Sequence, residues 1–266
     1  MQVLADAAAG VHRGYDRCVK ATLVGVPASH PTLTAELALE RKAIPYRRID
    51  IVPGVSRALL RLAGFSGNRV PAVRVDGQRF QGSRAITRAL DALVPDPPLF
   101  PADPEARAAV ESAERWGDEV LQDVPRRLAW AILKRDRSTI DTFLADAHLG
   151  IPTPVAVATS APVVAMAARL NRVTPDVTRA DLERLPKLLD RVNELIAEGV
   201  IGGTEPNAAD LQIATSVRLL WCMGDIRPAL EGRPAAELAE RVAGRLDAVL
   251  PPVFPAEWLA GLRPAA

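Results

Sequence analysis

The sequence predicts two parts, a small α+β domain in the order βαβ-ββα and then an all-helical domain. Three observations predict this. Short apolar or alternating runs, the mark of strands, are confined to residues 21–81. Five prolines fall between Val94 and Pro104. Beyond them the apolar residues recur at three- and four-residue steps, the spacing of helices. The expected boundaries are an N-terminal extension (1–19), the α+β domain (20–94), a semi-rigid proline-rich linker (95–104) and the helical domain (105–266).

Ala21 to Val26 is a short apolar run stopped by Pro27, which reads as a buried strand. A helix follows with Pro31 in its first turn and ends near Lys42, because Ile44-Pro45 cannot continue it. Tyr46 to Val52 alternates as a second strand, which completes a βαβ unit with a parallel pair. Val55 to Ala63 is a weak helix, followed by a loop. Pro71 to Val75 and Gln78 to Gln81 flank Asp76-Gly77, a hairpin signal. Ser83 then opens a helix carrying Ile86, Leu90 and Leu93. This order is the thioredoxin-like plan. In the second part, Glu105 to Leu133 reads as one long amphipathic helix. Further helices are expected over 138–147, 181–197, 207–222 and 235–250.

The charge balance excludes a general attraction to nucleic acid or membranes. Lys and Arg number 33 against 32 Asp and Glu, for a net charge of +1. Cys18 and Cys222 form no CxxC pair, and His12, His30 and His148 are scattered, so no disulfide, dithiol or metal site is expected. Residues 1–19 lack the apolar run of a secretory signal, and the expected location is the cytoplasm. Ile151 to Ala168 carries no charge but contains Pro152, Pro154 and Pro162. Three prolines would leave backbone groups unpaired in lipid. A buried helix broken near Pro162 is expected instead.

Three short segments are candidates for chemistry. Ser29-His30-Pro31-Thr32 stands where the first strand meets the first helix, and a helix N-terminus stabilises a thiolate. Ser29 is either a simple cap or a hydrogen-bond donor to sulfur. Val70-Pro71 enters a strand either as an edge proline or as a cis peptide that exposes the Val70 backbone to a peptide-like ligand. In Gln81-Gly82-Ser83, Ser83 reads as an N-cap whose following amides would accept a carboxylate.

Taken in order, Ser-x-x-Thr, Val-Pro before a hairpin, and Gly-Ser-x-Ala-Ile resemble the N-terminal domain of cytosolic glutathione transferases. Pro206-Asn207-Ala208-Ala209-Asp210 resembles that family's second-domain segment, with Asn207 and Asp210 forming a capping-box variant. The resemblance covers roughly Lys20 to Leu220. It implies that Ser29 binds the glutathione sulfur, with Thr32 at the place of a second serine as the alternative hydroxyl. It implies that Val70 binds the cysteinyl backbone, that Pro71 is cis, and that Ser83 binds the γ-glutamyl carboxylate. The implied protein is a homodimeric, serine-type enzyme of detoxification. It takes glutathione or a similar thiol as co-substrate, needs no metal, and directs the thiolate at a small electrophile.

The chain departs from the family at two positions. Gly82 replaces an acidic residue, leaving neutral Gln81 as a weaker partner for the γ-glutamyl ammonium, and His30 replaces a common proline. Gly82 favours a non-catalytic binding module on the same fold as one alternative. A thiol-dependent isomerase or dehalogenase is the other. Trp116 is a candidate wall of the acceptor pocket, with core packing as its plain alternative.

Overall fold

The computed structural model describes residues 20–52, 56–67, 69–245 and 248–262. The expected extension 1–19, with Cys18, lies outside the described residues.

Four strands form one sheet, β1 (Ala21–Gly25), β2 (Tyr46–Asp50), β3 (Ala72–Val75) and β4 (Gln78–Gln81), in the order β2-β1-β3-β4. β1 runs parallel to β2, while β3 is antiparallel to β1 and to β4. The parallel pair needs a crossover, which helix α1 (His30–Arg41) supplies. Helices α2 (Ser56–Leu62) and α3 (Ser83–Leu93) complete the thioredoxin-like domain. Period-two alternation divides the core. Leu23, Val73 and Val75 face the main cluster, whereas Val24 and Ala72 face a smaller one with Ile51, Leu60 and Phe65. Each fully buried leucine of this kind contributes about 1.5–3 kcal/mol.

The proline-rich stretch is packed and is not a free spacer. Leu99 and Phe100 are buried, the Leu99 N–H donates to Asp91 Oδ1 at 2.7 Å, and the Leu99 carbonyl accepts from Ala208 N at 2.9 Å. Lys42 Nζ, wholly buried, donates to Asp91 Oδ1 at 2.7 Å and to the Pro97 carbonyl at 2.5 Å. Pro104 belongs to the next helix, α4 (Pro104–Trp116), whose N-cap Asp103 accepts from Ala106 N.

The expected single helix from Glu105 to Leu133 is interrupted. After α4 comes a π-helical turn (Gly117–Leu121), then α5 (Asp123–Arg135). Pro125 has no N–H for the Leu121 carbonyl, and the Gln122 N–H bonds to Gly117 O, five residues back. The chain continues through α6 (Ile140–Leu144), α7 (Thr153–Ala158), α8 (Ser160–Leu170), α9 (Pro175–Ala197), α10 (Ala208–Trp221), α11 (Arg227–Leu230) and α12 (Pro234–Ala243). α10 is buried almost throughout and packs on α1, α4 and α12, so it is the central post of the helical part.

Two expectations fail in this part. The uncharged segment is not a buried helix. Ile151, Val155 and Met166 are each about half exposed, and only scattered residues such as Val164 and Ala167 reach the core. Its break lies at Thr159, three residues before Pro162, because the missing Pro162 N–H frees the Ala158 carbonyl. The last amphipathic stretch ends as a helix at Ala243, and Leu250 instead bridges to Met223. Beyond it, Arg135 lies 5.6 Å from the ring centroids of both Phe254 and Trp258 and clamps the tail. Among the described residues, no helix is long and apolar enough to cross a membrane.

Candidate functional site

The strand register carries the three predicted segments to one end of the sheet. Val24 on β1 pairs with Ala72 on β3, and Ala72 pairs with Gln81 on β4. The segments that leave or enter the sheet there are Ser29 after β1, Val70-Pro71 before β3, and Gln81-Gly82-Ser83 after β4.

Ser29 is the N-cap of α1, half-buried, with its Oγ accepting from Thr32 N at 3.4 Å. That bond is long, so the hydroxyl keeps most of its hydrogen-bonding capacity. No acidic side chain occupies the first turn, and the helix end retains its positive potential. Thr32 lies behind the turn. Its side chain is buried and its Oγ1 accepts from Val26 N at 3.4 Å. A Cβ on Gly25 would stand 2.3 Å from Thr32 Cγ2. Gly25→Ala is therefore expected to destabilise the protein by about 1–3 kcal/mol. Thr32→Ala in the same chain should restore most of the loss, and a double-mutant cycle in urea measures it.

The Val70-Pro71 bond is cis. Among the described residues neither the N–H nor the C=O of Val70 has a partner, whereas the Pro71 carbonyl accepts from Gly82 N at 2.8 Å. Gln81 is used locally, with Oε1 accepting from Gly67 N at 2.7 Å and Nε2 donating to Arg69 O at 3.1 Å.

The expected Ser83 cap is corrected by the structure. Gly82 is the N-cap of α3, and Ser83 is its first helical residue, because the chain turns at Gly82 with φ +86° and ψ 142°. That φ is strained for any residue with a Cβ, which accounts physically for a glycine at this position. The space beside Gly82 is open, with nothing within 4 Å of where a Cβ would stand. Ser83 Oγ is buried and donates to Gln212 Oε1 at 2.7 Å.

The helical part reaches the site through a polar chain that sequence reasoning missed. Gln212 Nε2 donates to Gln122 Oε1 at 2.9 Å, Gln122 Nε2 to Asp118 Oδ1 at 3.0 Å, and His30 Nε2 meets the Gln122 carbonyl at 3.1 Å. One signal was present, a glutamine inside the otherwise apolar stretch from Leu211 to Ala214. Trp116 is partly buried and packs against the main cluster. Cys222 is buried and its thiol is pushed up to about 12 by loss of water, far from a thiolate at neutral pH. Among the described residues, no group of three or more His, Cys, Asp or Glu side chains could hold a metal ion.

Burial, reinforced by the charge of Arg126, pushes the His30 pKa well below the usual imidazole value, so His30 is neutral in the fold. The unfolded chain then binds the extra proton, and His30 favours folding above the ordinary value of 6.5 and progressively less below it. The stability gap between the protein and His30→Gln should shrink as pH falls from 7 to about 5. Urea titrations of both at each pH check this, and a constant gap contradicts it.

On the far face of α1, Glu36, Glu40, Tyr46, Arg48, Asp146 and His148 line a groove of about 450 Å³. Arg48 bridges Glu36 at 2.9 Å and Asp50 at 3.0 Å, and the edge strand β2 is covered by His148, whose N–H and C=O both bond to Asp50. These contacts tie the loop after α6 to the sheet and blunt its edge.

Residues 23–98 match the family model of the glutathione S-transferase N-terminal domain. Similarity to solved structures extends the fold over the chain. A glutathione S-transferase from Sinorhizobium meliloti 1021 is 18% identical, with a TM-score of 0.61 over 91% of this chain and 99% of its own. The β-etherase LigF from Sphingobium sp. strain SYK-6 is 17% identical, with a TM-score of 0.59 over 85% and 95%. FzlA from C. crescentus is 18% identical, with a TM-score of 0.52 over 93% and 96%. No curated protein matches the chain by sequence. Over the residues these structures cover, the chain thus has the glutathione-transferase fold.

Proposed function

We propose that this glutathione-transferase-fold protein binds glutathione, or a closely similar thiol, beside Ser29 and activates it for attack on a small electrophile. The observation that carries this reading is the convergence at one sheet end of three uncommitted features. They are the Ser29 hydroxyl at the α1 N-terminus, the free backbone of Val70 before cis-Pro71, and the α3 N-terminus at Gly82-Ser83. Ser29 donates to the sulfur, and Thr32, behind it, holds the turn. Val70 pairs with the cysteinyl backbone as an added strand residue. The amides of α3 take the γ-glutamyl carboxylate, with the Ser83 hydroxyl held by Gln212 and Gln81 bonded to the backbone of Gly67 and Arg69. No protein nucleophile is needed, since holding an ionised thiol beside the electrophile supplies the rate. The expected enzyme is a serine-type, cytoplasmic homodimer that serves detoxification.

Calorimetric titration with glutathione tests the reading. Binding in the millimolar range or tighter, weakened in Ser29→Ala, is the expected result. A second reading, a binding module without catalysis, is favoured by Gly82 and by the engaged Ser83 hydroxyl. It predicts neither glutathione binding nor conjugation, so that the protein would wash through immobilised glutathione, whereas retention favours the first reading.

A further inference from the structure

The first turn of α5 lies against the start of α1, because the Gln122 carbonyl receives His30 Nε2 at 3.1 Å. Arg126 stands one turn further along the same helix face. Only 28% of its side chain is exposed. Among the described residues its sole hydrogen bond runs from Nη1 to Asp123 Oδ1 at 2.6 Å, and Asp123 is shared with Arg127 at 3.4 Å. The Nε and Nη2 donors are uncommitted. Loss of water lowers the Arg126 pKa against the pull of Asp123 and Asp118, so its charge is under-compensated where it stands.

The surroundings add positive potential. Arg69, exposed and immediately before Val70, is near enough for its charge to act on Arg126, and it has no acidic partner among the described residues. The neighbouring acids are already engaged: Asp118 by Gln122 Nε2 and Arg84, and Asp181 by Arg127 and Arg184. Neither α1 nor α3 has an acid in its first turn. A planar, mostly buried guanidinium with two free donors beside the start of α1 fits a carboxylate.

We infer that Arg126, with the positive charge of Arg69 nearby, holds a carboxylate on the electrophile, so that this site takes carboxylated acceptors. The inference rests on the thiol-binding reading above. Arg126 belongs to the helical part, and the Val70 backbone and the α3 amides proposed for the tripeptide belong to the N-terminal domain. The acceptor side of the sulfur is therefore the side that Arg126 serves.

Two glutathione derivatives of equal length separate the possibilities, S-(3-carboxypropyl)glutathione and S-butylglutathione, each titrated calorimetrically. The expected result is binding of the carboxylated ligand about 10- to 100-fold tighter, the range of a charge-assisted hydrogen-bonded pair. Arg126→Met should bring the ratio to about 1, and Arg126→Lys should keep part of it. Equal affinities in the unsubstituted protein overturn the inference and leave the thiol reading standing. Equality is also what arginines serving the tripeptide's own glycyl carboxylate would give. A preference that survives Arg126→Met overturns the inference too. Failure of both ligands to bind instead refutes the thiol reading, and the inference falls with it. The comparison in the unsubstituted protein decides without any variant having to fold.

Discussion

On the proposed function, Ser29→Ala is expected to lower glutathione conjugation about 100-fold and to shift its pH profile to higher pH. The hydroxyl sits at the start of α1 with a cap bond of 3.4 Å, too long to hold it, and can turn its proton toward a sulfur. A donor aimed at developing or resting negative charge is worth roughly 10²–10³ in rate when removed. The sign follows from the chemistry: losing a donor to the thiolate destabilises the charged form, so the bound thiol pKa rises and less thiolate exists at pH 7. The fold itself should lose only about 1 kcal/mol, the value of an N-cap. Ultraviolet titration of the bound thiol, alongside kcat/KM across pH, measures both effects. Unchanged thiolate formation in the variant would leave Ser29 as a cap and nothing more.

The largest loss of stability is expected from Asp210→Ala, far from the sulfur. Asp210 is buried at the start of α10, with Oδ1 accepting from Gly202 N at 2.7 Å and Oδ2 from Asn207 N at 2.9 Å. Asn207 answers by accepting from Ala209 N and Asp210 N, which closes the capping box. Removing the carboxylate leaves two part-buried N–H groups unpaired, each costing about 1–3 kcal/mol, for a total of about 3–5 kcal/mol. At about 2–4 °C per kcal/mol for a chain of this size, the melting temperature should fall by roughly 10–15 °C. Asp210→Asn retains one acceptor and should lose about half as much. Thermal unfolding of the two variants checks the order, and a smaller loss in Ala than in Asn would refute the account. Because α10 also bears Gln212 and packs on α1, the loosened helix should weaken glutathione binding as well.

Much of the N-terminal domain was legible because its signals are local. The apolar run of β1, the alternation of β2, Asp76-Gly77 between two strands, and Pro45 after the first helix each act within a few residues. The site segments were legible for the same reason, since each lies where a strand ends. Ser83 was misread as a cap because the positive φ of Gly82 is a property of the folded turn. The uncharged stretch from Ile151 to Ala168 was misread as buried because apolar content shows that a helix can be covered, and only its neighbours decide whether it is. The π-helical turn also escaped notice, although Pro125 was visible, because an amphipathic stripe barely registers one extra residue per turn.

The sequence by itself determined the order of the elements, the capping box at Asn207 and Asp210, and the three segments that bear the candidate chemistry. Each is written in periodicity, turn residues or spacing, which act over short range. Only the tertiary structure decided which partners those segments meet: Ser83 with Gln212, and His30 with the Gln122 carbonyl. These contacts join residues far apart in the chain, and their strength comes from burial. Neither the separation nor the loss of water exists until the helical part closes over the end of the sheet.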